Sequence, residues 1–174
     1  MHNEKFAAIE ATVDQATEDM TEEQLRFRPE GKWSTADVLE HLALTYGGTA
    51  KVFEKRLAEG PLGGPCTPKQ VVGQVLTLEL GLFPFKRKSP EPVAPKGTIG
   101  GAEALGLLKA NLKKMDDAFA AFAAKYEGGG KVAPHPILGP LTLKQWPKFH
   151  LNHCRHHMEQ IAELRAAQGL RRGI

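Results

Sequence analysis

The sequence predicts an all-α fold: a four-helix bundle with a long proline-rich crossover and one short extra helix. Three observations carry this. Four stretches repeat apolar residues at spacings of three and four, as an amphipathic helix requires. Capping residues and glycines mark their ends. No strong strand pattern of alternating apolar and polar residues is present. The 174 residues suit a single domain, residues 1–174, with one sizeable core, and the 41% hydrophobic and 25% charged content is ordinary for a globular chain.

The first helix is predicted over residues 3–20, where Phe6, Ile9, Val13 and Ala16 recur at helical spacing among charged residues. Pro29 and Gly31 make residues 21–32 a connection. Trp33 and Ser34 open the second helix. Ser34 is a good N-cap, Asp37 places negative charge in the first turn, and Val38, Leu42, Thr45 and Tyr46 form the apolar stripe beside His41. That helix is expected to run to about Ala58 and stop at Gly60 and Pro61. After a Gly/Pro loop, Thr67 as cap, Pro68 at the first position and Gln70 start a shorter helix to about Leu80. Pro84, Pro90, Pro92 and Pro95 make residues 83–97 an extended crossover rather than a helix. A loop of that length commonly has a task, such as covering a site.

The third long helix is predicted over residues 102–126, on Leu105, Leu108, Leu112, Met115, Phe119 and Phe122, with Gly128, Gly129 and Gly130 ending it. A structured turn spans His135 to Pro140. Thr142 then caps the last helix, with Gln145 at the capping-box position, and Gly169 ends it just past Ala167.

Composition narrows the function. The net charge of +3 is too small to argue for nucleic acid. The basic cluster Lys86, Arg87, Lys88 and the pair Arg171, Arg172 lack interleaved aromatics and read as a solvated loop and tail. Two cysteines in unlike contexts, Cys66 in a loop and Cys154 in a helix, indicate no disulfide framework, so a reducing cytoplasm is expected. With a polar N-terminus no signal peptide is expected, and no apolar run is long enough to span a bilayer.

The histidines are the anomaly. Four of the seven, His150, His153, His156 and His157, crowd into one eight-residue stretch. At about 100° per residue, Trp146, His150, His153, His157, Gln160, Ile161 and Leu164 occupy roughly one third of the helix circumference, while Lys148, Arg155 and Glu159 lie opposite. His156 sits at the edge of the stripe. Burying several imidazoles is costly unless each finds partners, and adjacent ones cannot all be charged in a core. A divalent metal resolves this by binding neutral rings. His153 and His157, four residues apart, have the spacing for two ligands on one ion. The third ligand is expected from another helix, and His41, inside the second helix and beside its stripe, is the best candidate. Three nitrogens leave a position open for water, a small-molecule substrate or a thiol. The structural alternative is a cluster of hydrogen-bonded histidines with no metal.

Trp33-Ser34 followed by Glu40-His41-Leu42, and His153-x3-His157 followed by Gln160, resemble the DinB/YfiT-like superfamily of metal-binding bundles. The stretch His135-Pro136, Gly139, Leu143 and Gln145-Trp146 resembles one of its subfamilies of unknown function. The resemblance covers most of the chain and implies an up-down-down-up bundle with a divalent ion, zinc or nickel, on His41, His153 and His157. It also implies a homodimer in many members, with hydrolases and thiol-dependent transferases among relatives.

Other residues carry paired readings. His150 is a shell residue or proton shuttle, or it packs and hydrogen-bonds. His135 lines a pocket mouth or caps its turn. Gln160 orients a ligand imidazole or is an ordinary buried amide. Asp37 supports His41 or caps its helix. Trp33 and Trp146 read as core, His156 as a surface or interhelical residue, and Cys66 as a loop thiol with nothing nearby to activate it. The functional expectation is a metal-dependent hydrolase or thiol transferase acting on a small molecule. The alternative is a helical-bundle dimer that binds a small ligand or metal without turnover.

Overall fold

A computed structural model describes residues 3–83, 89–126 and 130–171. The expected positions Pro84, Lys86, Arg87, Lys88, Gly128, Gly129 and Arg172 lie outside the described residues. Four long helices dominate: α1 (Glu4–Thr17), α3 (Thr35–Glu59), α5 (Gly101–Lys125) and α6 (Gln145–Ala167). Two short helices, α2 (Glu22–Arg26) and α4 (Pro68–Gln74), a π-helical turn (Val75–Glu79) and a 3-10 turn (Glu91–Val93) complete the helical part. The four long helices form a bundle in which α3 packs along α5 and α1 along α6, with α3 also meeting α6. Among the described residues no helix is long and apolar enough to cross a membrane.

The caps at Ser34, Thr67 and Gly169 fall where the sequence puts them, and the Thr142 cap does not. Asn3 caps α1 through its side chain. Ser34 and Asp37 form a full capping box on α3, and Thr67 and Gln70 form one on α4. At the end of α6, Gly169 (φ 72°) donates to Ala166 O and Leu170 donates to Arg165 O, the paired bonds of a Schellman motif. At the start of α6 the Thr142–Gln145 reciprocal bonds are present, but regular helix begins only at Gln145.

Three expectations are corrected. Residues 21–32 are not merely a connection: a capping box of Thr21 and Gln24 winds α2. This short helix has a structural task. The Glu22 carboxylate accepts from the backbone N–H of Gly101 (2.8 Å) and of Ala102 (3.1 Å), capping α5, whose own N-cap is Gly100. Those bonds pull the Glu22 pKa below its usual value. A Cβ on Gly101 would lie 2.4 Å from Leu25 Cβ, so only glycine allows this approach.

The absence of strands is the second correction. β1 (Lys131–His135) and β2 (Gly139–Thr142) pair antiparallel, with His135 opposite Gly139 and Pro134 opposite Pro140. Each strand is short and contains a proline, which demotes such runs in any sequence reading. The hairpin is held tertiarily. Val132, Ala133 and Leu141 are buried, Leu62 donates to Val132 O, and Gln74 Nε2 donates to Leu138 O and Pro140 O. Third, the proline-rich crossover contains a helical turn at Glu91–Val93.

Aromatic rings fill the centre of the bundle. Phe53 of α3 stacks on Phe119 of α5 at 3.7 Å between ring centroids, and meets Phe122 and Trp146 edge-on. This packing draws α3, α5 and α6 together and sets the frame for the histidines.

Candidate metal centre

Two helices carry the candidate site. His41 lies two turns into α3, beyond an N-terminus locked by the Ser34–Asp37 box and by the Arg28–Asp37 ion pair at 2.8 Å. His153 and His157 lie one turn apart on α6, facing it. The Nε2 atoms of His41 and His153 are 3.4 Å apart, and those of His157 and His153 are 3.1 Å apart. One ligand atom from each of the three rings lies within 4.8 Å of the other two. Among the described residues no other trio of histidine, cysteine, aspartate or glutamate groups converges in this way.

The outward nitrogens decide what the inward ones offer. His41 Nδ1 is 2.7 Å from the backbone oxygen of Val93, with Ser89 Oγ at 3.2 Å. A carbonyl oxygen only accepts, so His41 carries its proton on Nδ1 and presents an Nε2 lone pair inward. His157 Nδ1 is 3.0 Å from Gln160 Oε1, with the same consequence. The Nδ1 of His153 is enclosed with no hydrogen-bond partner. Burial holds all three rings neutral. It lowers the pKa of His41, drives that of His153 well down, and takes His157 to about 3, with His41 adding to the effect on both others. His153 has no acceptor to hold its proton on Nδ1, so without a cation its Nε2–H donates to a neighbouring Nε2. Beside a cation the proton moves to Nδ1 and three lone pairs converge. The donor set therefore fits a divalent ion, and imidazole suits zinc and nickel alike.

Aromatic rings wall the site. Trp33 stacks on His157 (6.3 Å, 16°) and tilts against His41 (5.2 Å). Phe149 stacks on His153 at 5.4 Å, and Phe83 tilts against the same ring at 5.8 Å. Trp33, expected as plain core, is thus part of the site.

The other expected residues divide. Gln160 makes the contact that an orienting role needs, its Oε1 3.0 Å from His157 Nδ1. Asp37 does not reach His41: its carboxylate accepts from Ser34 N and Ser34 Oγ, both at 2.7 Å, so it caps the helix. His135 makes the turn-capping contacts. Its Nδ1 accepts from the N–H of Ile137 (3.2 Å) and Leu138 (3.1 Å), capping the hairpin turn, while the ring packs on Trp146 and Phe149. His150 stays outside the converging set. It is fully buried among Tyr46, Trp146, Phe149 and Phe6, and neither ring nitrogen has a protein partner, so it packs without the expected hydrogen bond. Cys154 is buried, with its thiol pushed up to about 12, and is not one of the converging groups.

Cys66 departs from expectation. Lys131 Nζ lies 3.0 Å and Gln74 Nε2 3.2 Å from its sulfur. Lys131 is 65 residues away in sequence, which hid the neighbourhood from a local reading. Val93 and Ser89 were missed for a different reason: a backbone carbonyl has no side-chain signature. The length and proline content of the crossover were the available signal.

The buried histidines make stability acid-sensitive. His150 has a pKa of about 3 in the fold against 6.5 for the free side chain, through burial first and the proximity of His135 second. The unfolded chain therefore takes the proton first. The contribution is complete above about pH 6.5 and declines as the pH falls toward 3. At pH 5 one such ring costs about 2 kcal/mol. Urea melts of the metal-free protein at pH 7 and pH 5 should show this loss, and His150→Phe should recover about 2 kcal/mol of the difference. An identical pH dependence in the variant would exclude His150 as a source.

Comparison with known proteins is consistent with this architecture. The family model of the DinB superfamily matches residues 5–161. The uncharacterized protein YuaE of Bacillus subtilis (strain 168) is 26% identical over 148 residues, which cover 84% of this chain and 86% of that protein. Among solved structures, YfiT from Bacillus subtilis superposes with a TM-score of 0.57 at 20% identity, over 96% of this chain and 85% of that one. YfiT is described as a probable metal-dependent hydrolase with an unusual four-helix bundle topology. At that identity the likeness is one of fold.

Proposed function

The chain belongs to the DinB superfamily, and on that premise we propose that it holds one divalent ion on His41, His153 and His157 and acts as a metal-dependent enzyme on a small molecule. Hydrolysis is the reaction class to test first and thiol-dependent transfer the second. The observation that carries this reading is the convergence of three Nε2 atoms, two of them on rings whose Nδ1 protons face fixed acceptors. The description of YfiT as a probable metal-dependent hydrolase adds support from a protein of the same fold. Zinc and nickel are the ions proposed.

When bound, a divalent ion supplies Lewis acidity at this point. The chain's own residues supply the rest. His41, His153 and His157 hold the ion as neutral imidazoles. Val93 O and Gln160 Oε1 fix two of the ring planes and tautomers. Trp33, Phe83 and Phe149 keep bulk water from the rings. Replacing Gln160 with leucine, which leaves His157 Nδ1 without its acceptor, is expected to weaken metal affinity about 10- to 100-fold. A competition titration against a chromophoric chelator measures it, and an unchanged affinity would remove Gln160 from the centre.

A second reading is a metal- or ligand-binding protein without turnover. It is favoured by the make-up of the converging set, which among the described residues is histidine only, with no carboxylate to serve as general base. One experiment separates the two. Untagged protein reconstituted with zinc or nickel is screened against ester, amide and thiol-transfer substrates, beside His153→Ala. Turnover that requires the metal and disappears in the variant supports the enzyme. A stoichiometric ion with no turnover on any substrate supports the binding protein. No ion overturns the enzyme and the metal-binding form of the second reading.

A further inference from the structure

The Gln160 side chain bridges two imidazoles on α6. Its Oε1 lies 3.0 Å from His157 Nδ1, and its Nε2 lies 3.4 Å from His156 Nε2. An amide is not symmetric: the oxygen only accepts and the NH2 only donates. Turned over, Gln160 would aim N–H groups at His157 Nδ1. The neutral ring would then carry its proton on Nε2, pointing at His153 Nε2 only 3.1 Å away. One amide orientation presents a lone pair to the centre and the other presents a proton.

Nothing within the amide chooses between them, so the choice falls to its second partner. His156 accepts at Nε2 and therefore bears its own proton on Nδ1. Its ring is held in place by stacking on Phe83 (5.0 Å, 25°), which also tilts against His153. We propose that His156 is a positioning residue for the centre: by accepting from Gln160 Nε2 it fixes the amide orientation, and so holds His157 in the Nδ1–H tautomer whose Nε2 lone pair faces His41 and His153. The consequence for metal affinity rests on the function proposed above. The tautomer belongs to the metal-free chain and is read independently.

His156 is only partly buried, so substitutions there leave the bundle core intact. His156→Phe keeps a ring against Phe83 and removes the acceptor, while His156→Gln restores an acceptor one helical turn from Gln160. Both are made in the native chain and in Gln160→Glu, where either carboxylate oxygen accepts from His157 and orientation ceases to matter. The tautomer of His157 is read by ring 15N NMR of the metal-free protein near pH 7, and cobalt(II) affinity by competition titration. Expected are an Nδ1–H ring in the native protein, a measurable Nε2–H share with about tenfold weaker cobalt binding in His156→Phe, and recovery of both in His156→Gln. In Gln160→Glu, His156→Phe should alter neither. An unchanged tautomer in His156→Phe overturns the proposal. An equal affinity loss in both backgrounds also overturns it, since that assigns His156 a packing role. If the native protein binds no cobalt, the metal reading fails, while the tautomer comparison still decides the role of His156.

Discussion

His153→Ala is expected to lose stoichiometric metal binding and the whole metal-dependent increment of stability. His153 is the shared member of the trio, with its Nε2 within 3.4 Å of His41 and 3.1 Å of His157. Without it two nitrogens remain, on different helices and with no third donor between them. In the native protein, zinc or nickel at about a thousandfold excess over Kd should add about 4 kcal/mol, since the ion binds the folded chain and not the unfolded one. For a chain of this size that is about 10 °C in Tm. Removing a large side chain also lowers stability without metal, so the diagnostic quantity is the difference between metal-loaded and chelated melts. That difference should be near zero in His153→Ala and in His41→Ala. A full increment in either variant would mean that the ion sits elsewhere, and no increment in the native protein would make the trio a structural cluster.

Phe53→Ala should be the most damaging single truncation in the bundle. The ring is fully buried, stacked face to face on Phe119 and edge-on to Phe122 and Trp146. Its removal takes away the transfer energy of a large ring and leaves a cavity at the junction of three helices, a loss of about 3–5 kcal/mol. A typical domain has only about 5–15 kcal/mol in total, so this variant is expected to melt well below the native protein. Phe53→Leu fills most of the space and should lose about 1–2 kcal/mol. Urea denaturation with unchanged m-values checks both. A loss below about 1 kcal/mol in Phe53→Ala would mean that the α3–α5 seam collapses readily around the gap. Metal affinity of the fraction that stays folded should change little, because Phe53 is not among the rings around the three histidines.

The helices were legible because the interactions that define them are local. Ser34 with Asp37, and Thr67 with Gln70, are spaced three residues apart, and those pairs are what the capping bonds use. His153 and His157 were legible as a pair for the same reason, since four residues on a helix is a distance in space. His41 was legible by exclusion, as the one histidine beside the apolar stripe of its helix, and by the resemblance carried by Glu40-His41-Leu42. By contrast α2 is too short to show a period, and the hairpin's strands carry prolines and are held by Leu62 and Gln74 from distant loops. The neighbours of Cys66 lay equally far off in sequence.

By itself, the sequence determined that this chain makes an amphipathic helical bundle, where its four long helices start and stop to within a few residues, and that one face of the last helix carries more imidazole than an apolar core accepts without a partner. Periodicity and capping are properties of adjacent residues, so they survive in a bare string of letters. Only the tertiary structure decided which of those imidazoles meet. His150 and His153 share a face, yet one turn along the axis separates a ring sealed among Tyr46, Trp146 and Phe149 from a ring opposite His41. Only the tertiary structure, too, turned a crossover carbonyl at Val93 and an amide at Gln160 toward the outer nitrogens. A neutral imidazole can offer its lone pair from either nitrogen, and the group that takes the proton on the other side selects which one. At His41 that group is a backbone oxygen fifty-two residues away, brought there by the packing of the whole chain.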